Sequence, residues 1–152
     1  MIITDLAATQ AIGVALAEGI EAQHWPACLL LFRGPLGAGK TTLIRALLGA
    51  LGVTGTVRSP SFTLIEGYPL AATTVQHVDL YRLNDPAELE DLGFADLLNG
   101  RDICLVEWPE RAPRLTAQAD LLVDLEPLGL LRRVDWQART PLGSRLSARL
   151  PV

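Results

Sequence analysis

The chain is 152 residues long, the size of one domain, and enough to bury about two thirds of its unfolded surface in a single core. A net charge of −4 and a pI near 5.1 exclude broad electrostatic binding to nucleic acid, which needs clustered cations to displace counterions. No basic region precedes an apolar stretch at Met1-Ile2-Ile3-Thr4-Asp5, and no apolar run approaches the length of a membrane span, so a soluble, cytoplasmic protein without membrane contact is expected.

In chain order, Ile12, Leu16 and Ile20 recur at helical spacing between about Ala8 and Gln23, which predicts an amphipathic helix packed on a sheet. Cys28-Leu29-Leu30-Leu31-Phe32 reads as a buried strand. Thr42 to Leu51 reads as a helix ending near Gly52. Val57 to Ile65 is expected as a polar loop running into an extended stretch, with Glu66-Gly67-Tyr68-Pro69 as a turn. Thr74 to Val78 predicts a strand that stops at Asp79. Asp85-Pro86-Ala87-Glu88 combines an N-cap acid with proline at the first helical position, which starts a helix at about Pro86 that Gly93 interrupts and Gly100 closes. Ile103 to Val106 is a second buried-strand run, ending at Glu107. After the proline-punctuated Pro109 to Pro113, alternating stretches Leu121–Glu126 and Leu131–Arg139 flank Pro127-Leu128-Gly129 as a hairpin.

Between the first strand and the helix after it lies Gly34-Pro35-Leu36-Gly37-Ala38-Gly39-Lys40-Thr41, and Lys40 is the single lysine beside twelve arginines. Glycines let successive N–H groups turn inward to make a concave anion site, and the helix N-terminus adds partial positive charge there. A compact ammonium enters a ring of amides and meets the outer phosphates as a point charge; an arginine fork is too large. The Thr41 hydroxyl stands where a magnesium ion travelling with ATP is coordinated. Strand, glycine loop and helix together predict an α/β protein of the P-loop NTPase fold: a mostly parallel central sheet flanked by helices, with a C-terminal antiparallel hairpin, in one domain spanning residues 1–152.

Asp79 and Glu107 each end an apolar strand run, and the carboxyl ends of strands line the ligand crevice of an open α/β sheet, so both are candidates for the magnesium side of the nucleotide. Ser59, Ser61 and Thr63 either form a loop that senses the γ-phosphate or make an ordinary turn. Trp108 is read as a core aromatic or as a cover that excludes water from the site, with core packing favoured. His77 is read as a satisfied strand histidine and given no role. Cys28 and Cys104, distant in sequence and each within an apolar run, are expected as buried free thiols of a reducing compartment. From Asp79 to Glu107, eight carboxylates against two arginines make a local charge of −6, read mainly as a solvated face and alternatively as a dock for a basic partner.

The strings GPLGAGKTT, RSPSFTLIEGY, HVDLYRL, DPAELEDLGF and ICLVEWPER, in this order, resemble the bacterial TsaE family, the small P-loop ATPases of the pathway that makes N6-threonylcarbamoyladenosine in tRNA. The resemblance runs from about Thr9 to Arg111 and fades from Arg114 onward. It implies that Gly34 and the stretch Gly37, Ala38, Gly39, Lys40, Thr41 and Thr42 wrap the phosphates of ATP or ADP, with Lys40 on the β and γ groups. It implies that Thr41 and Glu107 hold Mg2+, that Asp79 takes the Walker B position as a further catalytic and metal-side carboxylate, and that Ser59 to Thr63 act as a switch. It also implies the TsaB and TsaD proteins as partners, reset by ATP hydrolysis, with tRNA touched only through that complex.

Other readings stay open. Ras-type guanine recognition uses an Asn-Lys-x-Asp motif, which a chain with its one lysine in the P-loop does not contain. A small-molecule kinase would need a lid of arginines, for which Arg58, Arg82, Arg101 and Arg111 are the recruits. A nucleotide-gated binding module would keep its docking function without the Glu107 carboxylate.

Overall fold

The structure is a computed structural model and describes residues 1–151. Seven strands form one sheet in the order β1-β7-β6-β2-β5-β4-β3, where β1 is Ile2–Ile3, β2 Cys28–Arg33, β3 Ile65–Pro69, β4 Thr74–Asp79, β5 Ile103–Glu107, β6 Leu121–Leu128 and β7 Leu131–Ala138. The four inner strands β6, β2, β5 and β4 run parallel, and β1, β7 and β3 add antiparallel at the two edges. The expected parallel centre and C-terminal hairpin are both present, while the antiparallel share extends to both edges.

Parallel strands are covered on both faces, and their sequences are accordingly apolar throughout: β2 and β5 are buried along almost their whole length. On one face lie α1 (Leu6–Ala22), α2 (Lys40–Ala50) and, further on, α6 (Pro141–Ser147), closing over Leu30, Phe32, Leu43, Leu47 and Leu105. On the other, the short α3 (Glu88–Asp91), α4 (Phe94–Leu97) and α5 (Leu115–Gln118) pack Leu89, Phe94 and Leu115 over Leu29, Leu31 and Val106. Each such fully buried Leu or Phe contributes about 1.5–3 kcal/mol relative to exposure. Asp5 caps α1 by accepting from the Ala8 N–H at 2.8 Å, and Thr140 caps α6 by accepting from Gly143 at 3.1 Å.

Two expectations are corrected, and three elements appear that the sequence did not announce. Glu66 to Pro69 is strand, not turn: β3 pairs with β4 from Ile65 opposite Val78 to Pro69 opposite Thr74, and the chain reverses afterwards, where Leu70 N–H donates to Thr73 O. An edge strand tolerates Pro69 because its outer side needs no donor. The helix expected at Pro86 opens with the Asp85 N–H donating to the Glu88 carboxylate at 3.0 Å and the Ala87 N–H donating to the Asp85 carboxylate at 2.9 Å, but regular helix spans only Glu88–Asp91. Gly93, at φ 68°, then redirects the chain into α4. The elements β1, α5 and α6 were not expected.

Candidate active site

The P-loop forms because β2 ends at Arg33 and α2 begins at Lys40, leaving six residues to reverse the chain. Gly34, Gly37 and Gly39 all have positive φ. At Gly34 the requirement is double: φ is 143°, and a Cβ would stand 2.3 Å from the Leu125 carbonyl oxygen. The loop is tied by the Ala38 N–H to Pro35 O at 3.1 Å and by the Lys40 ammonium, which donates to Gly34 O at 2.6 Å and Pro35 O at 2.9 Å. Lys40 is 4% exposed, and its Nζ lies 4.1 Å from the centre of the Trp108 ring. Burial pushes this ammonium below the ordinary lysine value, against the opposing pull of Glu107, Glu110 and Asp79.

Strand register supplies the acids. Asp79 and Glu107 are direct partners in the β4–β5 ladder, and Glu107 is also opposite Phe32 of β2, so both carboxylates come to the carboxyl end of the parallel core beside α2. The Thr41 hydroxyl lies 2.9 and 3.0 Å from the two Glu107 oxygens. Asp79 accepts from the Tyr81 N–H at 3.0 Å through Oδ1 and from the Ser59 hydroxyl through Oδ2. Ser59 thereby ties the 57–64 loop to the site, and Asp79 N–H to Leu64 O at 2.9 Å fastens the loop's far end.

Gly37, Gly39, Lys40, Thr41, Thr42, Ser59, Ser61, Asp79, Glu107 and Trp108 surround one cleft of about 410 Å³. Gly34 and the fully buried Ala38 lie beneath the loop. Thr63 falls outside the cleft and lines a neighbouring groove with Arg58, Pro60 and Tyr68, because the chain turns between Pro60 and Leu64, which has φ 65°. Trp108 holds φ 59°, a conformation that costs a bulky residue on the order of 1 kcal/mol or more, and it presents its ring to Lys40 and, 4.9 Å away, to Tyr81. It packs on the core edge and is among the residues that line the cleft.

Sequence reasoning did not single out Leu36, Tyr81 or Arg132, and it named Arg82 only as a lid candidate. Leu36, Tyr81 and Arg82 line the cleft from the loop and from the turn after β4, and Arg132 reaches it from β7. Arg132 lies 3.3 Å from where a Gly39 Cβ would stand, and it has no acidic partner among the described residues. Gly39, Thr42 and Arg132 also open onto a second hollow of about 240 Å³ walled by Ile3, Leu6, Thr9 and Leu125. His77, which was given no role, is fully buried with Nε2 2.8 Å from Glu107 Oε1. Among the arginines considered for a kinase lid, Arg82 alone lines the cleft, and its guanidinium stacks on Phe62 at 4.1 Å.

No group of three or more His, Cys, Asp or Glu side chains among the described residues has metal-holding geometry. A hydroxyl and two carboxylates do make a hard-oxygen donor set, and Mg2+ commonly binds to one or two protein oxygens and completes its shell with phosphate and water. The residues therefore fit magnesium that arrives with a nucleotide.

A family model described as threonylcarbamoyl adenosine biosynthesis protein TsaE matches residues 3–133. The chain belongs to the TsaE family. Among similar TsaE proteins, the tRNA threonylcarbamoyladenosine biosynthesis protein of Haemophilus influenzae is 40% identical over 135 residues, covering 88% of this chain and 85% of the relative. The protein of the same description from Bacillus subtilis is 36% identical over 115 residues, covering 76% and 72%. A crystal structure of YdiB from Bacillus subtilis superposes with a TM-score of 0.73 at 26% identity, over 97% of this chain and 93% of that one. Membership in the TsaE family assigns the chain to threonylcarbamoyladenosine biosynthesis. Among the described residues no helix is long and apolar enough to cross a membrane.

Proposed function

We propose that this TsaE-family chain binds ATP with Mg2+, hydrolyses it slowly, and uses the turnover to reset a TsaB and TsaD complex during tRNA threonylcarbamoyladenosine synthesis. The observation that carries the reading is the hydroxyl–carboxylate pair of Thr41 and Glu107, 2.9 Å apart, set one residue after a buried Lys40. Loop amides would cradle the phosphates, and Lys40 would trade its two carbonyl contacts for phosphate oxygens of higher charge density. The hollow beside Gly39 and Thr42 would take a base and ribose, with Ile3, Leu6 and Leu125 for apolar contact and Asp5, Thr9 and Arg132 as polar partners. Thr41 and Glu107 would hold Mg2+, which would supply charge neutralisation for the phosphates. Asp79, held by Ser59 and the Tyr81 N–H, couples the 57–64 loop to that end of the nucleotide. Trp108 and Tyr81 limit water around Lys40.

A kinase reading is disfavoured by the single lid arginine at the cleft. The test is titration of the chain with fluorescent ADP and ATP, in Mg2+ and in EDTA. Magnesium is expected to tighten binding at least tenfold, and Glu107→Gln to remove most of that gain while EDTA affinity holds. GTP as the tighter ligand, or no binding of either nucleotide, would overturn the reading.

A further inference from the structure

Among the described residues five polar or charged side chains are buried, and four of them, Lys40, His77, Asp79 and Glu107, belong to one constellation. His77 is the member that touches neither the loop nor the cleft. It stands on β4 opposite Leu105, two residues before Asp79, on the face that also carries Glu107. Its Nε2 is 2.8 Å from Glu107 Oε1, and its Nδ1 is the one buried side-chain nitrogen or oxygen without a partner among the described residues.

The partners assign the tautomer. An ionised carboxylate only accepts, so the proton of the contact belongs on Nε2. Nδ1 is then an unpaired acceptor. With the proton on Nδ1 instead, two acceptor lone pairs would face each other across 2.8 Å and a buried donor would be orphaned as well. The consequence for Glu107 is asymmetric. Oε1 lies 2.8 Å from His77 Nε2 and 2.9 Å from the Thr41 hydroxyl, whereas Oε2 has only that same hydroxyl, at 3.0 Å, whose single proton the two oxygens share.

We propose that His77 is a positioning residue: by donating to Oε1 from the neighbouring strand it fixes the rotation of the Glu107 carboxylate and reserves Oε2 for the magnesium side of the nucleotide. An aliphatic residue would fill the same volume and leave the carboxylate free to turn, so the tolerated orphan at Nδ1 accompanies a held oxygen at Nε2. Partners behind metal-binding carboxylates commonly change metal affinity by about 10- to 100-fold when removed. The proposal rests on the nucleotide reading above.

The test compares wild type, His77→Leu and His77→Gln by titrating Mg2+ into the chain with fluorescent ADP, with EDTA as the metal-free reference. His77→Leu is expected to raise the half-saturating Mg2+ about tenfold and to leave ADP affinity in EDTA unchanged, and His77→Gln, which keeps an N–H donor, to recover most of the difference. An unchanged Mg2+ requirement in His77→Leu, or an equal loss of affinity with and without metal, would reduce His77 to packing and overturn the proposal. A wild type whose ADP affinity ignores Mg2+ would remove the nucleotide reading, and the proposal with it. The wild-type chain gives an independent check should the leucine variant not fold. Nitrogen-15 spectra of its two histidines, assigned with His24→Gln, should show His77 protonated at Nε2 and bare at Nδ1. The opposite tautomer would overturn the proposal by itself.

Discussion

The Lys40 ammonium meets two carbonyl oxygens at 2.6 and 2.9 Å and an indole face at 4.1 Å, contacts that suit a compact head group on a flexible stem. A planar guanidinium cannot enter that space without displacing Trp108 or opening the loop. Lys40→Ala is therefore expected to lose about 3–4 kcal/mol of transition-state stabilisation in ATP hydrolysis, and Lys40→Arg nearly as much despite its charge. Steady-state kinetics decide it, and a fully active arginine variant would contradict the assignment. The thiols make a second case at this scale. Burial pushes Cys104 up to about 12, helped by Asp102, and raises Cys28 as well, chiefly by burial with Asp120 adding to it. They belong to core clusters on opposite faces of the sheet. A raised thiol value means the folded chain keeps the proton. The associated stability is complete below the ordinary value of 9.0 and is lost as pH rises from there toward 12. Both thiols should resist a disulfide reagent at pH 8 until denaturant is added, and the urea midpoint should fall above pH 9. Fast labelling of the native chain would contradict their burial.

Loop and strand ends set the site at the scale of elements. The P-loop was legible because its information is local: glycines, lysine and threonine at fixed spacing between a buried strand and a helix. Gly34 shows the part that is not local, since it must be glycine partly because the Leu125 carbonyl of β6 comes within 2.3 Å of a Cβ there. Gly34→Ala is expected to destabilise the chain by about 2–4 kcal/mol, read from urea unfolding, and to weaken nucleotide binding in parallel. An alanine variant as stable as wild type would show that the loop relaxes freely. Asp79 and Glu107 were legible as acids ending apolar runs, whereas the His77–Glu107 contact needed the β4–β5 register. Thr63 lines the neighbouring groove because the chain turns between Pro60 and Leu64, a reversal no local pattern specifies. For α6, Thr140 and Pro141 carry a start signal, but seven residues give too little periodicity to read.

Over the whole molecule, strand order brings distant sequence together. Placing β7 outside β6, and β6 beside β2, carries Arg132 back across the P-loop more than ninety positions after Gly39 begins α2's cap. No local pattern announces that contact. Of the eight carboxylates from Asp79 to Glu107, Asp79 and Glu107 are buried and line the cleft, Asp85, Glu90, Asp91 and Asp96 stand exposed around α3 and α4, and Glu88 and Asp102 are half-buried. The exposed carboxylates lie outside the cleft and make a negative surface around α3 and α4, which would suit a basic partner.

The central claim is that nucleotide turnover in this chain is coupled to partners, and phosphate release from ATP by the purified chain, alone and with TsaB and TsaD added, tests it most directly. The account predicts slow release alone, a clear rise with the pair, and loss of both in Lys40→Ala. No rise in the presence of a TsaB and TsaD pair shown to be active would contradict it.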